Sequence, residues 1–238
     1  MKTFHNVDTL LFDMDGTLTD LGKRWWDPFF RAYDKIRPEE NQIKKKEIFE
    51  KTLISIMETS MGSPRMLKLK TFWRASRDLE LSLFDTFRAI KFLRTDPLAF
   101  KDIQPLDGVE EVLKTLQFRG YKMALVTSAG DDTVEKAKLK LKMLNSFDLI
   151  ITRNSVKRIK PYPDAILLAS KELGKNPSSC VMIGDFPQDV QAGKNAGAKT
   201  IAILGLNAKY TRERLIEKNP DALLSSIQEL PELFPNLV

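Results

Sequence analysis

Two aspartates stand one residue apart near the start of the 238-residue chain, in the stretch LLFDMDGTLTD at residues 10–20. The apolar run at 7–13 predicts a buried strand, so Asp13 and Asp15 lie at its carboxyl end. A carboxylate can act as a nucleophile, transfer a proton or hold a hard metal ion. The pair therefore indicates catalysis or metal binding at a strand end.

Polar residues also follow the later apolar runs. Thr127 and Ser128 end the second predicted strand, Lys160 comes after the third, Asp185 ends the fourth, and Asp189 follows four residues on. Ligands of open parallel sheets bind outside the carboxyl ends of the strands, so we expect these side chains to meet. Each residue alone has an ordinary explanation as a turn, strand-end, helix-start or solvated residue, so the hypothesis depends on their joint placement.

Clustered carboxylates need a cation, because they repel one another and raise each other's pKa. Mg²⁺ fits this predicted site, since one or two carboxylates usually hold it together with water and substrate phosphate. Neither the single cysteine, Cys180, nor the single histidine, His5, lies near these strand ends, which argues against zinc, copper and non-heme iron. We expect His5 at the surface and Cys180 in the core.

The elements that would position these residues alternate between strand and helix. Nearly continuous apolar runs suit parallel strands covered on both faces, and the intervening periodicity suits helices. This pattern predicts an α/β fold with a Rossmann-like, doubly wound parallel sheet. The predicted strands are 7–13, 121–127, 147–152, 179–184 and 199–204, and the helices between the later strands are 131–144, 163–173 and 187–196. The C-terminal segment is predicted as a short strand or loop and a helical turn.

More than a hundred residues separate the first two strands, which is too long for a loop. Helical periodicity there predicts an inserted α-helical cap domain at 21–103 and a core domain at 1–20 and 104–238, with Asp107-Gly108 opening the helix that returns to the sheet. The predicted cap helices are 24–35, 41–60, 64–79 and 82–94. Their periodic apolar positions include Ile43, Phe49, Leu53, Ile56, Leu83, Phe87 and Ile90.

Composition favours a globular protein, with 42% hydrophobic residues and a net charge of +6. Basic and acidic residues are interleaved, and no finger or aromatic-plus-basic signature is present, so we expect no nucleic-acid partner. One cysteine excludes an internal disulfide. Because we find neither a signal peptide nor a run of eighteen apolar residues, we expect a soluble cytoplasmic protein without a membrane partner.

Four motifs together resemble those of the haloacid dehalogenase-like (HAD) hydrolase superfamily, in the family's order. They are DMDGTLTD, VTSAG, KPYPD and GDFPQD, and the resemblance covers about 1–20 and 104–238. The helical insertion after the first motif is similar to the C1 cap of phosphoglycolate phosphatase-like and β-phosphoglucomutase-like members. Phe186 departs from the small polar residue that many relatives have after the metal-binding aspartate, which would affect the site entrance.

The resemblance implies a catalytic role for most of these residues. Asp13 would be the nucleophile that forms an aspartyl-phosphate, and Asp15 would protonate the leaving alkoxide and then activate water. Thr127 and Ser128 would bind the phosphoryl group, and Lys160 would neutralise charge on the phosphate and on Asp13.

The resemblance also implies the ligands of Mg²⁺. These would be the Asp13 carboxylate, the main-chain carbonyl of Asp15 and Asp185, with Asp189 supporting the metal directly or through water. Backbone N–H groups around Met14 and Ser128 would add phosphate donors.

The function that the sequence predicts is a Mg²⁺-dependent phosphatase that hydrolyses a small phosphorylated metabolite. Asp15 favours phosphate-ester chemistry, because haloacid dehalogenases and phosphonoacetaldehyde hydrolases lack an aspartate there. A phosphomutase using the same two aspartates is the alternative, followed by a catalytically silent binding protein and a nucleic-acid-binding protein. The cap would set substrate preference, but five residues that could face the substrate have ordinary explanations and are not assigned: Trp25, Trp26, Arg65, Lys68 and Arg74.

Overall fold

The computed structural model describes residues 3–38, 41, 43–44, 47–48, 50–52, 73–96, 102–205 and 208–237. The chain divides into two compact units. The first unit comprises Met1–Asp20 and Gln104–Val238, and the second comprises Leu21–Ile103.

The first unit is built on a six-stranded parallel sheet with the strand order β3-β2-β1-β4-β5-β6. The strands are β1 Thr9–Phe12, β2 Lys122–Val126, β3 Leu149–Ile151, β4 Cys180–Gly184, β5 Lys199–Ile203 and β6 Ala222–Leu224. This confirms the predicted doubly wound α/β class, and the C-terminal segment contributes a sixth strand. The strand order reverses between β1 and β4, where such sheets bind their ligands.

Apolar continuity places the first strand at the centre of the core. All four residues of β1 are buried, and they pair with β2 on one side and β4 on the other, with Phe12 opposite both Leu125 and Ile183. A strand without alternation fits this position because both of its faces are covered. The pairing brings the ends of β1, β2 and β4 side by side.

The helices with described bounds number eight in the part of the chain that the structure covers. They are α1 Asp27–Asp34, α2 Leu83–Thr95, α3 Val109–Phe118, α4 Asp131–Lys140, α5 Asp164–Glu172, α6 Pro187–Ala196, α7 Ala208–Glu217 and α8 Leu230–Leu233. None of the described helices has the length and apolar character needed to cross a bilayer.

Two predicted helix boundaries are wrong. The helix predicted at 131–144 ends at Lys140, and a 3-10 helix follows at Lys142–Ser146. Leaving the α-helix buries Met143 and Leu144, while Leu139 on the preceding turn is exposed. Pro163, predicted as a first helical residue, instead occupies the position just before α5.

The second unit packs α1 against α2. Phe29, Ala32 and Tyr33 of α1 form a buried cluster with Ala89 of α2 and Ala75. The π-helix Gly22–Trp26 precedes α1, so the predicted helix at 24–35 begins in π geometry. Residues 73–78 are helical.

The predicted apolar face of α2 is wrong at two positions. Leu83 and Phe87 are exposed, and the buried residues of α2 are Thr86 and Ala89. Of these two, Ala89 belongs to the buried cluster with α1, although a small side chain carries little apolar signal. Ile43 is exposed as well. Five of the residues named from sequence lie outside the described part of the chain: Phe49, Leu53, Ile56, Arg65 and Lys68. The side chain of Trp25 lies outside it as well.

Candidate active site

The loop that follows β1 is a tight turn that holds both aspartates at the strand end. Asp13 N–H donates to the Ile183 carbonyl of β4 at 2.9 Å, which fixes the backbone at the first aspartate. Gly16 has φ +98°, and its N–H donates to the Thr19 carbonyl at 2.9 Å. A Cβ at Gly16 would overlap the carboxylate of Asp185. Glycine is therefore needed both for the turn and for the close approach of β4's aspartate.

Lys160 brings the β3–α5 connection into the same place. Its Nζ donates to the Asp13 carboxylate and to the Val126 carbonyl at 3.1 Å, and it lies 2.6 Å from Asp189 Oδ1. The Lys160 side chain is only 5% exposed. Burial by itself lowers the pKa of Lys160, but the Asp13 and Asp189 carboxylates outweigh it, so the pKa is raised and the ammonium stays charged.

Three carboxylates lie together at these strand ends, and two of them, Asp13 and Asp189, contact Lys160. One oxygen from each of Asp13, Asp185 and Asp189 lies within 4.8 Å of the other two, and all three residues are buried. Burial raises the pKa of Asp13 to about 7; Lys160 opposes this effect, and Asp189 and Asp15 add to it. Lys160 pairs with two of these carboxylates, Asp13 and Asp189, so a bound cation would add positive charge to a group rich in carboxylates.

Asp185 and Asp189 are held in different ways. Asp185 follows β4, and the buried Thr17 hydroxyl donates to its Oδ1 at 3.1 Å. Asp189 lies in the first turn of α6, and its Oδ2 accepts from Phe186 N–H at 3.1 Å. Both oxygens of Asp189 therefore have protein partners, Lys160 on one and the Phe186 backbone on the other. Phe186 itself is buried.

Asp15 lies outside the three-carboxylate group. It is half-buried, and its Oδ1 accepts from the Thr19 hydroxyl at 3.4 Å. The same hydroxyl donates to the Met14 carbonyl at 3.1 Å. Asp15 is thus two residues from the cluster member Asp13 in sequence, and one of its oxygens bonds to the turn.

The loop after β2 supplies hydrogen-bond donors. Thr127 is buried, and its hydroxyl accepts from Ala129 N–H at 3.0 Å. Ser128 is exposed, and within the described ranges neither its N–H nor its hydroxyl takes part in a hydrogen bond. The Met14 N–H is likewise without an acceptor among the described residues. Such N–H groups at strand ends are available to an anion.

The donor set fits a hard cation. Carboxylate oxygens are the preferred ligands of Mg²⁺, and the group contains no sulfur or imidazole. Sequence reasoning did not assign Thr17 and Thr19, which orient Asp185 and Asp15. Their position within DGTLT, on alternate residues of the turn, was the available signal. Of the unassigned cap residues, Trp26 is buried and Arg74 is exposed.

The sequence of this chain is similar to known proteins over most of its length. A family model described as haloacid dehalogenase-like hydrolase matches residues 10–203. The pyrophosphatase PpaX of Bacillus velezensis is 31% identical over 229 residues, covering 96% of both chains. The PpaX of Bacillus pumilus is 30% identical over 225 residues, covering 94% of both chains.

Solved structures share the fold at lower identity. A phosphoglycolate phosphatase predicted in Haemophilus somnus has a TM-score of 0.70 at 18% identity, covering 96% of this chain and 98% of its own. The L-2-haloacid dehalogenase of Xanthobacter autotrophicus has a TM-score of 0.64 at 18% identity, covering 95% of this chain and 98% of its own. At these identities the likeness concerns the fold alone.

Proposed function

This chain belongs to the haloacid dehalogenase-like hydrolase family and is a phosphatase of that family. On that premise we propose that it hydrolyses a small phosphorylated metabolite through an aspartyl-phosphate on Asp13, with Mg²⁺ as cofactor. The observation that carries the proposal is the placement of Asp13. It lies at the carboxyl end of β1, is paired with the buried Lys160, and is within 4.8 Å of two further carboxylates.

Asp13 is the proposed nucleophile because its carboxylate is fixed without being enclosed by donors. Lys160 holds one of its oxygens, which leaves the other to attack phosphorus. The charged Lys160 also offsets the repulsion between an anionic nucleophile and a phosphate dianion. Thr127, Ser128 and the Met14 N–H supply donors for the non-bridging phosphoryl oxygens.

Asp15 is the proposed general acid and base. It follows Asp13 by two residues, lies outside the three-carboxylate group, and its Oδ1 accepts from the Thr19 hydroxyl. In this role it donates a proton to the leaving oxygen and afterwards accepts one from the attacking water. Chemistry of this kind contributes typically about 10²- to 10⁴-fold to the rate.

The proposed metal ligands are Asp13, Asp185 and the main-chain carbonyl of Asp15. Asp189 would support the metal directly or through water, since it belongs to the three-carboxylate group and its oxygens also contact Lys160 and the Phe186 N–H. When bound, Mg²⁺ would neutralise charge on the phosphoryl group and on the three carboxylates. Asp189 also serves the site by holding Lys160.

The family resemblance makes the second unit, Leu21–Ile103, the proposed cap domain that selects the leaving group. The relatives named pyrophosphatase make inorganic pyrophosphate the first compound to test as substrate. Phosphoglycolate and sugar phosphates are the next compounds, because a solved structure of the same fold is described as a phosphoglycolate phosphatase.

The test is a panel of these phosphate compounds, assayed for phosphate release with Mg²⁺ and with a chelator. We expect Mg²⁺-dependent release from at least one compound, and loss of that release in Asp13→Asn. Asp8→Asn is the matched control, since Asp8 precedes the same strand at its opposite end and pairs with Lys175 at 2.7 Å. Full activity in Asp13→Asn, or no hydrolysis of any compound by the unmodified protein, would overturn the proposal.

A further inference from the structure

Backbone hydrogen bonds join the end of β3 and the segment after it to the phosphate-binding loop, Thr127–Gly130. Thr127 N–H donates to the Ile151 carbonyl at the end of β3, and Arg153 N–H donates to the Ala129 carbonyl, both at 3.0 Å. The first bond runs from the loop to the last residue of β3, and the second joins the two loops beyond the strands. The two segments therefore continue side by side beyond the strands that carry them.

Side chains extend this pairing to the start of α4. The Thr152 hydroxyl donates to the Asp131 carboxylate and accepts from Asn154 N–H at 3.1 Å. In return, the Asn154 side-chain oxygen accepts from Asp131 N–H at 3.3 Å. Ser155 closes the segment, because its hydroxyl accepts from Thr152 N–H at 3.2 Å. We call residues 152–155 the bracket.

Gly130 shows how closely the bracket approaches. A Cβ at Gly130 would lie 3.1 Å from Asn154 Oδ1 and 3.4 Å from Arg153 Cδ. A larger residue would require the side chain of Asn154 to shift by a few tenths of an ångström. The loop that carries Thr127 and Ser128 is thus fixed at both of its ends, at Thr127 by Ile151 and at Asp131 by Thr152 and Asn154.

We infer that Thr152 is a positioning residue for phosphate binding, which acts by holding the phosphate-binding loop in register with the chain that carries Lys160. The inference rests on the proposed function, because it assigns the phosphoryl oxygens to Thr127 and Ser128. Thr152 is buried, and its hydroxyl donates to Asp131, the residue that follows the loop. It lies eight residues before Lys160 in the connection between β3 and α5. It does not touch the substrate.

The metal ligands come from other elements. Asp13 follows β1 and Asp185 follows β4, so disturbing the bracket changes the phosphate donors without moving the cation site. Loss of Thr152's hydroxyl therefore weakens binding of inorganic phosphate and leaves Mg²⁺ affinity unchanged. One net hydrogen bond corresponds to about a threefold to tenfold effect.

The experiment measures the inhibition constant of inorganic phosphate, KM, kcat and Mg²⁺ affinity for Thr152→Val and Thr152→Ser. We expect about a threefold to tenfold weaker inhibition and higher KM for the valine variant, with recovery in the serine variant. Thr200→Val is the matched control, because the buried Thr200 hydroxyl also donates to an aspartate, Asp221, at 3.2 Å, near the opposite end of the sheet. It should lose stability without losing phosphate affinity.

Two results would overturn the inference. One is an unchanged phosphate inhibition constant in Thr152→Val, and the other is an equal loss in Thr200→Val. If Thr152→Val does not fold, Asn154→Ala is tested instead, since Asn154 is exposed. This variant removes the side-chain oxygen that accepts from Asp131 N–H and lies close to Gly130. Failure of the unmodified protein to bind inorganic phosphate at all would contradict the proposed function instead.

Discussion

Replacing Lys160 by methionine removes the buried ammonium that pairs with Asp13 and Asp189. Its Nζ lies 2.6 Å from Asp189 Oδ1, and the two side chains are 5% and 4% exposed. At that distance an effective dielectric of about 20 gives an attraction of about 6 kcal/mol. The cost of desolvating both groups offsets part of this attraction. Deleting one partner leaves carboxylates buried without compensation, which costs about 3–5 kcal/mol.

Lys175→Met isolates the effect of burial. Lys175 Nζ lies 2.7 Å from Asp8 Oδ2, nearly the same distance, but the side chains are 30% and 38% exposed. Solvent screens such a pair, so its loss should cost no more than about 1 kcal/mol. The contrast between the two variants therefore comes from burial and from the second carboxylate that Lys160 pairs with, rather than from the length of the ion pair.

The assay is urea unfolding of both variants and the unmodified protein in chelator, repeated at about pH 6 and about pH 8. The loss in Lys160→Met should be smaller at the lower pH, because protonation of Asp13 removes part of the uncompensated charge. Equal losses in the two lysine variants, or a loss for Lys160→Met below about 1 kcal/mol, would refute the reasoning that the cluster depends on this ammonium.

Three further predictions concern the turn after β1. Burial raises the pKa of Asp13 from 3.8 to about 7, so the folded metal-free protein holds a proton there that the unfolded chain has lost. The stability of the metal-free protein should therefore fall as the pH rises from about 4 to about 7. Mg²⁺ affinity, measured by calorimetry, should rise over the same range by up to about tenfold per pH unit. Asp15→Asn should lower kcat by about 10²- to 10⁴-fold and still show a burst of leaving group from an activated ester in stopped-flow. Gly16→Ala, at φ +98° against the Asp185 carboxylate, should cost about 1–3 kcal/mol in urea unfolding and weaken Mg²⁺ binding.

The strands and the polar residues at their ends could be predicted because the signal is local. A run such as that preceding Asp13 is apolar without alternation, which is typical of strands buried on both faces. The carboxyl ends of parallel strands lie at one edge, so the meeting of Asp13, Lys160 and Asp185 followed from the order of the elements. The bounds of α6 at Pro187–Ala196 were predicted correctly because a proline starts the helix and a glycine ends it.

Other features depend on tertiary contacts that a single chain of letters does not encode locally. Periodicity assigned Leu83 and Phe87 to a buried face, but the buried residues of this helix are Thr86 and Ala89. The helix from Asp131 ends at Lys140, and Met143 and Leu144 are buried on the 3-10 helix that follows it.

The partners of individual side chains were equally out of reach. Asp189 could be placed at a helix start, but its bond to Lys160 joins two separate connections of the sheet. The same holds for Thr17, whose partner Asp185 is 168 residues away in sequence.

The central claim is that Asp13 carries the phosphoryl group during turnover. It is tested by mixing the protein with the best substrate of the panel, quenching with acid during turnover, reducing with borohydride and sequencing the peptides by mass spectrometry. Reduction converts an aspartyl-phosphate to homoserine, so the account predicts homoserine at residue 13 in the unmodified protein and more of it in Asp15→Asn. Sustained hydrolysis with no homoserine at residue 13 in either protein would contradict it.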